Sequence, residues 1–194
     1  SRPFWDYCFP HARKAFPDAL GSETTDSFYK AINTVFPSLI RVEADEVTYN
    51  LHIMLRFELE QDMIAGKIRI QDLPEEWNDR MESWLGVRPS KDSDGVLQDI
   101  HWSLGAIGYF PTYALGNLMS TQLFNAAKKA IPDLDAKTSQ GDFSALLDWL
   151  RTNVHQHGRR KTAGQILLDA TGSELSSESW MHYAQSKFGE LYGF

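Results

Sequence analysis

The sequence has a single cysteine, few clustered basic residues and no long hydrophobic run. Because Cys8 has no partner in the chain, no intrachain disulfide can form, which is typical of a reducing compartment. The 19 lysine and arginine residues are outnumbered by 26 aspartate and glutamate residues, so the net charge is −7. This balance disfavours nucleic-acid and anionic-membrane partners. We therefore expect a soluble, cytoplasmic protein with neither kind of partner.

The pattern of hydrophobic residues is helical throughout. The chain has 194 residues, of which 42% are hydrophobic, enough for an apolar core. Strand-type alternation is absent, so we predict an all-α fold built as a single compact multi-helix domain over residues 1–194. Pro10 predicts an early end to the first, aromatic-rich helix. Further helices are predicted at about 22–35, 44–65, 72–84, 112–130, 142–155 and 177–191, and another begins at a capping box formed by Thr162 and Gln165.

Residues 95–113 interrupt this pattern with glycines and a proline, and they concentrate side chains that can transfer protons or form hydrogen bonds. These side chains are Gln98, Asp99, His101, Trp102, Tyr109 and Tyr113. A loop of this composition is typical of a functional site. The alternative is structural, since an aspartate two residues before a histidine can cap a nearby backbone while the histidine packs on Trp102.

A second group precedes the long predicted helix. Arg41 comes four residues before Asp45, a spacing that places both side chains on one face if the segment is helical. The two residues either form a structural ion pair at the start of that helix, or they form a site in which Arg41 grips a carboxylate and Asp45 orients it. The sequence leaves both interpretations open.

Two motifs resemble signatures of one enzyme family. Gly95-x-x-Gln98-Asp99-x-His101-Trp102 and, earlier in the chain, Ile40-Arg41-x-x-Ala44-Asp45 are similar to motifs of the carboxypeptidase Taq family. Members of this family are thermostable zinc metallocarboxypeptidases that remove single residues from peptide C-termini. The resemblance covers nearly the whole chain. It implies that the chain is the C-terminal part of a larger helical, zincin-like metallopeptidase that binds peptide C-termini and forms a homodimer.

The resemblance also implies roles for individual residues. Arg41 would bind the terminal carboxylate of the peptide, with Asp45 as its orienter. His101 and Tyr113 would act as catalytic groups that stabilise the charge growing on the attacked carbonyl oxygen. The other members of the central motif would help to bind the substrate, and among them Asp99 would set the tautomer of His101. These substrate-binding residues are Gln98, Asp99 and Tyr109.

The zinc motif of the family, His-Glu-x-x-His, is missing. None of the six histidines is followed by glutamate. We therefore expect no metal ligand in this chain, and the zinc of the complete family enzyme would be held by residues upstream of Ser1. His155 and His157 have a spacing that can bind a metal, but at a predicted helix end they more often cap the helix or face solvent.

Three hypotheses for function remain. The chain is the substrate-binding part of a metallocarboxypeptidase and is inactive alone, or it is a non-catalytic module that binds peptide C-termini, or it is a helical dimerisation domain. Aromatic residues near the start favour self-association, because we expect them to form exposed apolar surface. These residues are Phe4, Trp5, Tyr7 and Phe9.

Overall fold

A computed structural model describes the whole chain, Ser1–Phe194. Its regular structure contains helices and no strand, which confirms the all-α prediction. Four short 3-10 helices lie at Arg41–Glu43, Ile70–Asp72, Asp92–Asp94 and His155–Arg160. The α-helices are α1 (Arg2–Ala15), α2 (Pro17–Leu20), α3 (Thr25–Ile32), α4 (Tyr49–Ile64), α5 (Leu73–Leu85), α6 (Pro111–Ala130), α7 (Leu134–Ser139), α8 (Ser144–Asn153), α9 (Ala163–Thr171) and α10 (Glu178–Tyr192). None of them is long and apolar enough to cross a membrane.

The helices group into two compact units. The first unit contains Ser1–Ile32 and Asn117–Phe194, and the second contains Asn33–Gly116. No change in composition marks these boundaries in the sequence, which predicts a single compact domain over residues 1–194. All of the candidate site residues, from Arg41 to Tyr113, belong to the second unit.

In the first unit, α1 packs against α7 and α3. Pro10 does not end this helix, contrary to the prediction. It lies on the exposed side of α1, where water can bind the carbonyl that the proline ring leaves without a donor. The expectation that the first aromatic residues are exposed is wrong for Phe9, which is 1% exposed and has its ring 4.9 Å from that of Phe28. Phe4 is the member of that group that remains exposed.

In the second unit, α4 packs against α5 and forms the apolar core. The core residues of these two helices are Leu55, Leu59, Leu73, Trp77, Met81 and Leu85. The buried face of α4 is not purely apolar, because His52, Arg56 and Glu60 recur on it every four residues and all are buried. Met54, which the apolar spacing assigns to that face, is half exposed instead.

Helix ends follow the expected chemistry at several points. α5 ends at Gly86, whose φ of 70° lies in the left-handed region that glycine adopts without strain. α9 begins with the predicted capping box, in which Gln165 N donates to Thr162 Oγ1 and Thr162 N donates to Gln165 Oε1. α4 begins at Tyr49 and not near residue 44, because the preceding segment forms the 3-10 helix and a turn.

Candidate functional site

Arg41 is the centre of the candidate site. It opens the 3-10 helix Arg41–Glu43, and only 5% of the residue is exposed. Its Nη2 donates to Asp99 Oδ1 at 2.6 Å, its Nε donates to the same oxygen at 3.1 Å, and its Nη1 donates to the hydroxyl of Tyr49 at 2.8 Å. The guanidinium of Arg41 is therefore held in one orientation by residues from two segments that are far apart in sequence.

Asp99 joins Arg41 to a second buried arginine. Arg56 Nε donates to Asp99 Oδ2 at 2.7 Å, and Arg56 Nη1 donates to the carbonyl of His52 at 2.8 Å. Burial alone would raise the pKa of Asp99, but hydrogen bonds and charges from the two arginines outweigh it and lower that pKa. Burial lowers the pKa of Arg56 to about 10, so both guanidiniums and the carboxylate are charged at neutral pH.

Gln98 connects the backbone of Arg41 to Arg56. Its Oε1 accepts from Arg41 N at 2.9 Å and from Arg56 Nη2 at 2.8 Å. Its Nε2 donates to the carbonyls of Leu39 at 3.0 Å and Asp94 at 2.9 Å. Gln98 thus uses both ends of its amide to fix the position of residue 41, and replacement by a shorter side chain would release that segment.

The predicted pairing of Arg41 with Asp45 is wrong. Asp45 Oδ1 accepts from Val47 N at 2.8 Å and Thr48 N at 2.9 Å, and Asp45 Oδ2 accepts from Thr48 Oγ1 at 2.7 Å. Residues 41–45 do not form an α-helical turn, since Ala44 is extended with ψ of 146°, so the four-residue spacing does not bring the two side chains together. Asp45 shapes the turn before α4, and Asp99 orients Arg41.

His101 and Tyr113, the two residues predicted to be catalytic, lie near Arg41. His101 Nε2 is 2.9 Å from the hydroxyl of Tyr113. The guanidinium carbon of Arg41 is 5.0 Å from the centre of the Tyr113 ring, and Phe110 contacts the ring of His101 at 4.4 Å. Tyr109, the competing tyrosine, is half exposed and lies 5.6 Å from the rings of both His101 and Tyr113.

Asp99 does not hydrogen-bond to His101. The distance from His101 Nδ1 to Asp99 Oδ1 is 3.8 Å, and this nitrogen is buried without a hydrogen-bond partner in the chain. Both oxygens of Asp99 are engaged by arginines, so no direct bond is present through which Asp99 would set the tautomer of His101. Asp99 acts on His101 only through its charge.

The sequence does not identify four of the residues that build this site, which are His52, Tyr49, Arg56 and Glu60. Glu60 accepts from Trp102 Nε1 at 2.8 Å, and Trp102 packs edge-on against Trp77 with a ring distance of 5.9 Å. The sequence does contain an indication of three of them, because His52, Arg56 and Glu60 follow one another at four-residue intervals on α4. A search for apolar spacing overlooks these polar residues because apolar residues surround them on the same face.

The residues of this site do not fit a metal centre. No group of three histidine, cysteine, aspartate or glutamate side chains in the chain is arranged to hold a metal ion. Asp99 is engaged by two arginines, and His101 is bonded to Tyr113. His155 and His157 lie in the 3-10 helix His155–Arg160.

Comparison with known proteins matches this chain to one family. The family model of carboxypeptidase Taq (M32) metallopeptidase covers residues 1–188. The chain belongs to the carboxypeptidase Taq (M32) family. The M32 carboxypeptidases are metal-dependent hydrolases, and the two motifs that suggested the resemblance are the ones that build the arginine and aspartate cluster.

Similar carboxypeptidases extend well beyond this chain. Thermostable carboxypeptidase 1 of Thermus thermophilus is 44% identical over 190 residues, which are 98% of this chain and 37% of that protein. Carboxypeptidase 1 of Bacillus subtilis is 40% identical over 192 residues, which are 99% of this chain and 38% of that protein. The chain therefore spans less than two fifths of the length of these relatives, as a C-terminal part.

Solved M32 structures have the same fold over this region. The M32 carboxypeptidase of Deinococcus radiodurans R1 is 47% identical and superposes with a TM-score of 0.96 over 100% of this chain and 39% of that structure. Metallocarboxypeptidase 1 of Trypanosoma cruzi is 34% identical, with a TM-score of 0.91 over 97% of this chain and 39% of that structure.

Proposed function

We propose that this chain is the C-terminal, substrate-binding part of a metallocarboxypeptidase that removes single residues from peptide C-termini. The observation that carries the proposal is the fixed, buried guanidinium of Arg41 beside the hydrogen-bonded pair His101 and Tyr113. An exopeptidase must recognise the carboxylate that marks the end of its substrate, and a planar guanidinium is suited to bind it.

The hydrogen bonds of Arg41 leave it able to bind such a carboxylate. A guanidinium has five N–H groups. Asp99 accepts from Nε and Nη2, and Tyr49 accepts from Nη1, so one N–H remains on each terminal nitrogen after these contacts. Two N–H groups on neighbouring nitrogens match the two oxygens of a carboxylate. Asp99 and Tyr49 thereby orient Arg41 and leave two of its N–H groups for a peptide terminus.

His101 and Tyr113 act as a unit toward the carbonyl oxygen of the bond to be broken. A single hydrogen lies between His101 Nε2 and the hydroxyl oxygen of Tyr113. If His101 donates that hydrogen, the Tyr113 hydroxyl is free to donate to a substrate oxygen, where it stabilises growing negative charge. If Tyr113 donates it, the hydroxyl is occupied. The tautomer of His101 therefore decides whether Tyr113 is available as a donor.

We further propose that the metal of the complete enzyme is zinc, held by residues outside 1–194, and that the enzyme is a cytoplasmic homodimer. Family resemblance supports these points. Because no cluster in the chain fits a metal, we assign no catalytic step to a metal here and expect residues 1–194 alone to be inactive. The same Arg41 geometry would serve a module that binds peptide C-termini without cleaving them, which is the second candidate.

The test is peptide release by the protein at its natural length. Arg41→Met removes the guanidinium that would bind the peptide carboxylate. We expect kcat/KM for an N-blocked dipeptide to fall about 10- to 100-fold, which is the loss typical of a pair of charge-assisted hydrogen bonds. Arg88→Met is the matched control, because Arg88 lies in the same unit but pairs on the surface with Glu75, Asp79 and Glu82. Equal activity of the two variants would contradict the proposal. Binding without release by the natural-length protein would favour the non-catalytic module.

A further inference from the structure

The hydrogen-bonded group of Arg41, Arg56 and Asp99 holds more positive than negative charge. Arg41 and Arg56 share the single carboxylate of Asp99, with side-chain exposures of 6%, 0% and 9% respectively. Gln98, the other polar partner of both arginines, is neutral. With two guanidiniums and one carboxylate, the hydrogen-bonded cluster has a net charge of +1.

Neighbouring carboxylates do not pair with either arginine. Glu60, one helical turn after Arg56 on α4, accepts instead from Trp102 Nε1 at 2.8 Å. Asp45 is engaged by the backbone and hydroxyl groups of residues 47 and 48. A buried arginine that shares its counter-ion is unusual, because desolvation is costly for an incompletely paired charge. The arrangement therefore calls for a functional explanation.

We propose that Arg56 is a positioning and charge-setting residue, which contacts no ligand but makes the site selective for an anionic peptide carboxylate over a neutral C-terminal amide. The proposal rests on the function proposed above for Arg41. A bound carboxylate brings the charge of the cluster from +1 to zero, whereas an amide leaves the excess charge unbalanced. Low exposure strengthens this discrimination, because water screens buried charges poorly.

The contacts of Arg56 keep its charge fixed near Arg41. Its guanidinium carbon lies 4.5 Å from the centre of the Trp77 ring and 5.4 Å from that of Phe110. Nε, Nη1 and Nη2 each donate a hydrogen bond, to Asp99, to the carbonyl of His52 and to Gln98. These contacts occupy Arg56, so it acts on a ligand through Asp99, Gln98 and its charge, and not by direct contact.

The experiment measures the affinity of the natural-length protein for two forms of one ligand. The ligand is an N-blocked dipeptide in which a ketomethylene group replaces the scissile amide, prepared as the free acid and as the C-terminal amide. The readout is the ratio of the Kd of the amide to the Kd of the acid. Because a unit charge within about 10 Å at an effective dielectric constant of about 20 changes the binding of an anion roughly tenfold, Arg56→Gln should lower this ratio about tenfold.

Two further variants separate charge from structure. Arg56→Lys retains the charge and should keep the ratio within about threefold of the original, even if both affinities fall. Gln98→Glu keeps Arg56 and adds one negative charge, and it also loses the bonds from Nε2 to the carbonyls of Leu39 and Asp94. Both changes should lower the ratio, so an unchanged ratio in Gln98→Glu counts against the inference even if Arg56→Gln does not fold. A purely structural role for Arg56 would either weaken acid and amide equally or lower the ratio in Arg56→Lys as much as in Arg56→Gln. Either result, or an unchanged ratio in Arg56→Gln or Gln98→Glu, would overturn the inference.

The Arg41→Met variant distinguishes the two proposals. If the original protein shows no preference for the acid, or if Arg41→Met keeps that preference, the function proposed for Arg41 fails. If Arg41→Met abolishes the preference but the variants at residues 56 and 98 retain it, only the inference about Arg56 fails.

Discussion

Asp99 is expected to contribute more to stability than any surface carboxylate of the chain. Its two oxygens accept from Arg41 and Arg56, and its side chain is 9% exposed. Asp99→Asn preserves the shape of the side chain but removes the charge, and its NH2 group would face an N–H donor of one arginine. The substitution therefore leaves two buried guanidiniums near each other without a counter-ion.

The expected cost follows from this geometry. Removing one partner of a buried ion pair typically destabilises a protein by about 3–5 kcal/mol, because the remaining charge is desolvated and uncompensated. For a chain of this size, about 1 kcal/mol lowers Tm by roughly 2–4 °C, so we expect Asp99→Asn to lower Tm by about 6–20 °C. Water cannot solvate the unpaired charge of Arg56, because its side chain has no exposed surface.

The assay is thermal unfolding followed by circular dichroism at 222 nm, supported by urea titration. Asp169→Asn is the matched control, because Asp169 pairs with Lys161 at 2.7 Å while 51% of its side chain is exposed. We expect this control to leave Tm nearly unchanged, since solvent screens exposed pairs. If Asp99→Asn has no larger effect than Asp169→Asn, Asp99 is not the counter-ion of a buried cluster and our description of the site is wrong.

Three further predictions concern other residues of the second unit. Burial lowers the pKa of His52 from about 6.5 to about 4, so the unfolded chain binds a proton that the folded chain does not. The free energy of unfolding should therefore fall by up to about 3 kcal/mol as the pH drops from about 6.5 to about 4. Urea unfolding at several pH values should show a weaker pH dependence for His52→Leu than for the original protein, and an equal pH dependence would refute this. Tyr113→Phe should reduce kcat/KM of the natural-length protein about 10- to 100-fold with little change in Tm, and full activity would remove Tyr113 from the catalytic groups. Asp45→Ala should lower the free energy of unfolding, measured in urea, by about 1–2 kcal/mol because the turn before α4 loses its cap. If Asp45→Ala reduced the preference for the free-acid ligand over the amide as much as Arg41→Met does, a purely structural role for Asp45 would be contradicted.

The helices and the site region follow from local patterns in the sequence. Apolar spacing predicts α4 and α5, and the capping box at Thr162 and the glycine at residue 86 predict ends that the structure confirms. The concentration of glycine and polar residues in 95–113 predicts the loop that supplies Asp99 and His101. These features depend on neighbours in sequence, so the sequence is sufficient for them.

The partners of the charged residues do not follow from such patterns. Arg41 and Asp99 are 58 positions apart, and nothing in the spacing of Arg41 and Asp45 indicates that the closer carboxylate is engaged elsewhere. Arg56 lies within an apolar stripe, where a charged residue is normally assigned to the exposed face. Long-range pairing and the two-unit division depend on tertiary packing, which overrides local spacing.

Recognition of a peptide carboxylate by Arg41 is tested by the affinity of the natural-length protein for the ketomethylene dipeptide, as free acid and as amide, measured with and without Arg41→Met. We expect the original protein to prefer the acid by at least about tenfold, because two charge-assisted hydrogen bonds depend on the carboxylate, and we expect Arg41→Met to lose that preference. Equal affinity of the original protein for acid and amide would show that Arg41 does not recognise peptide C-termini.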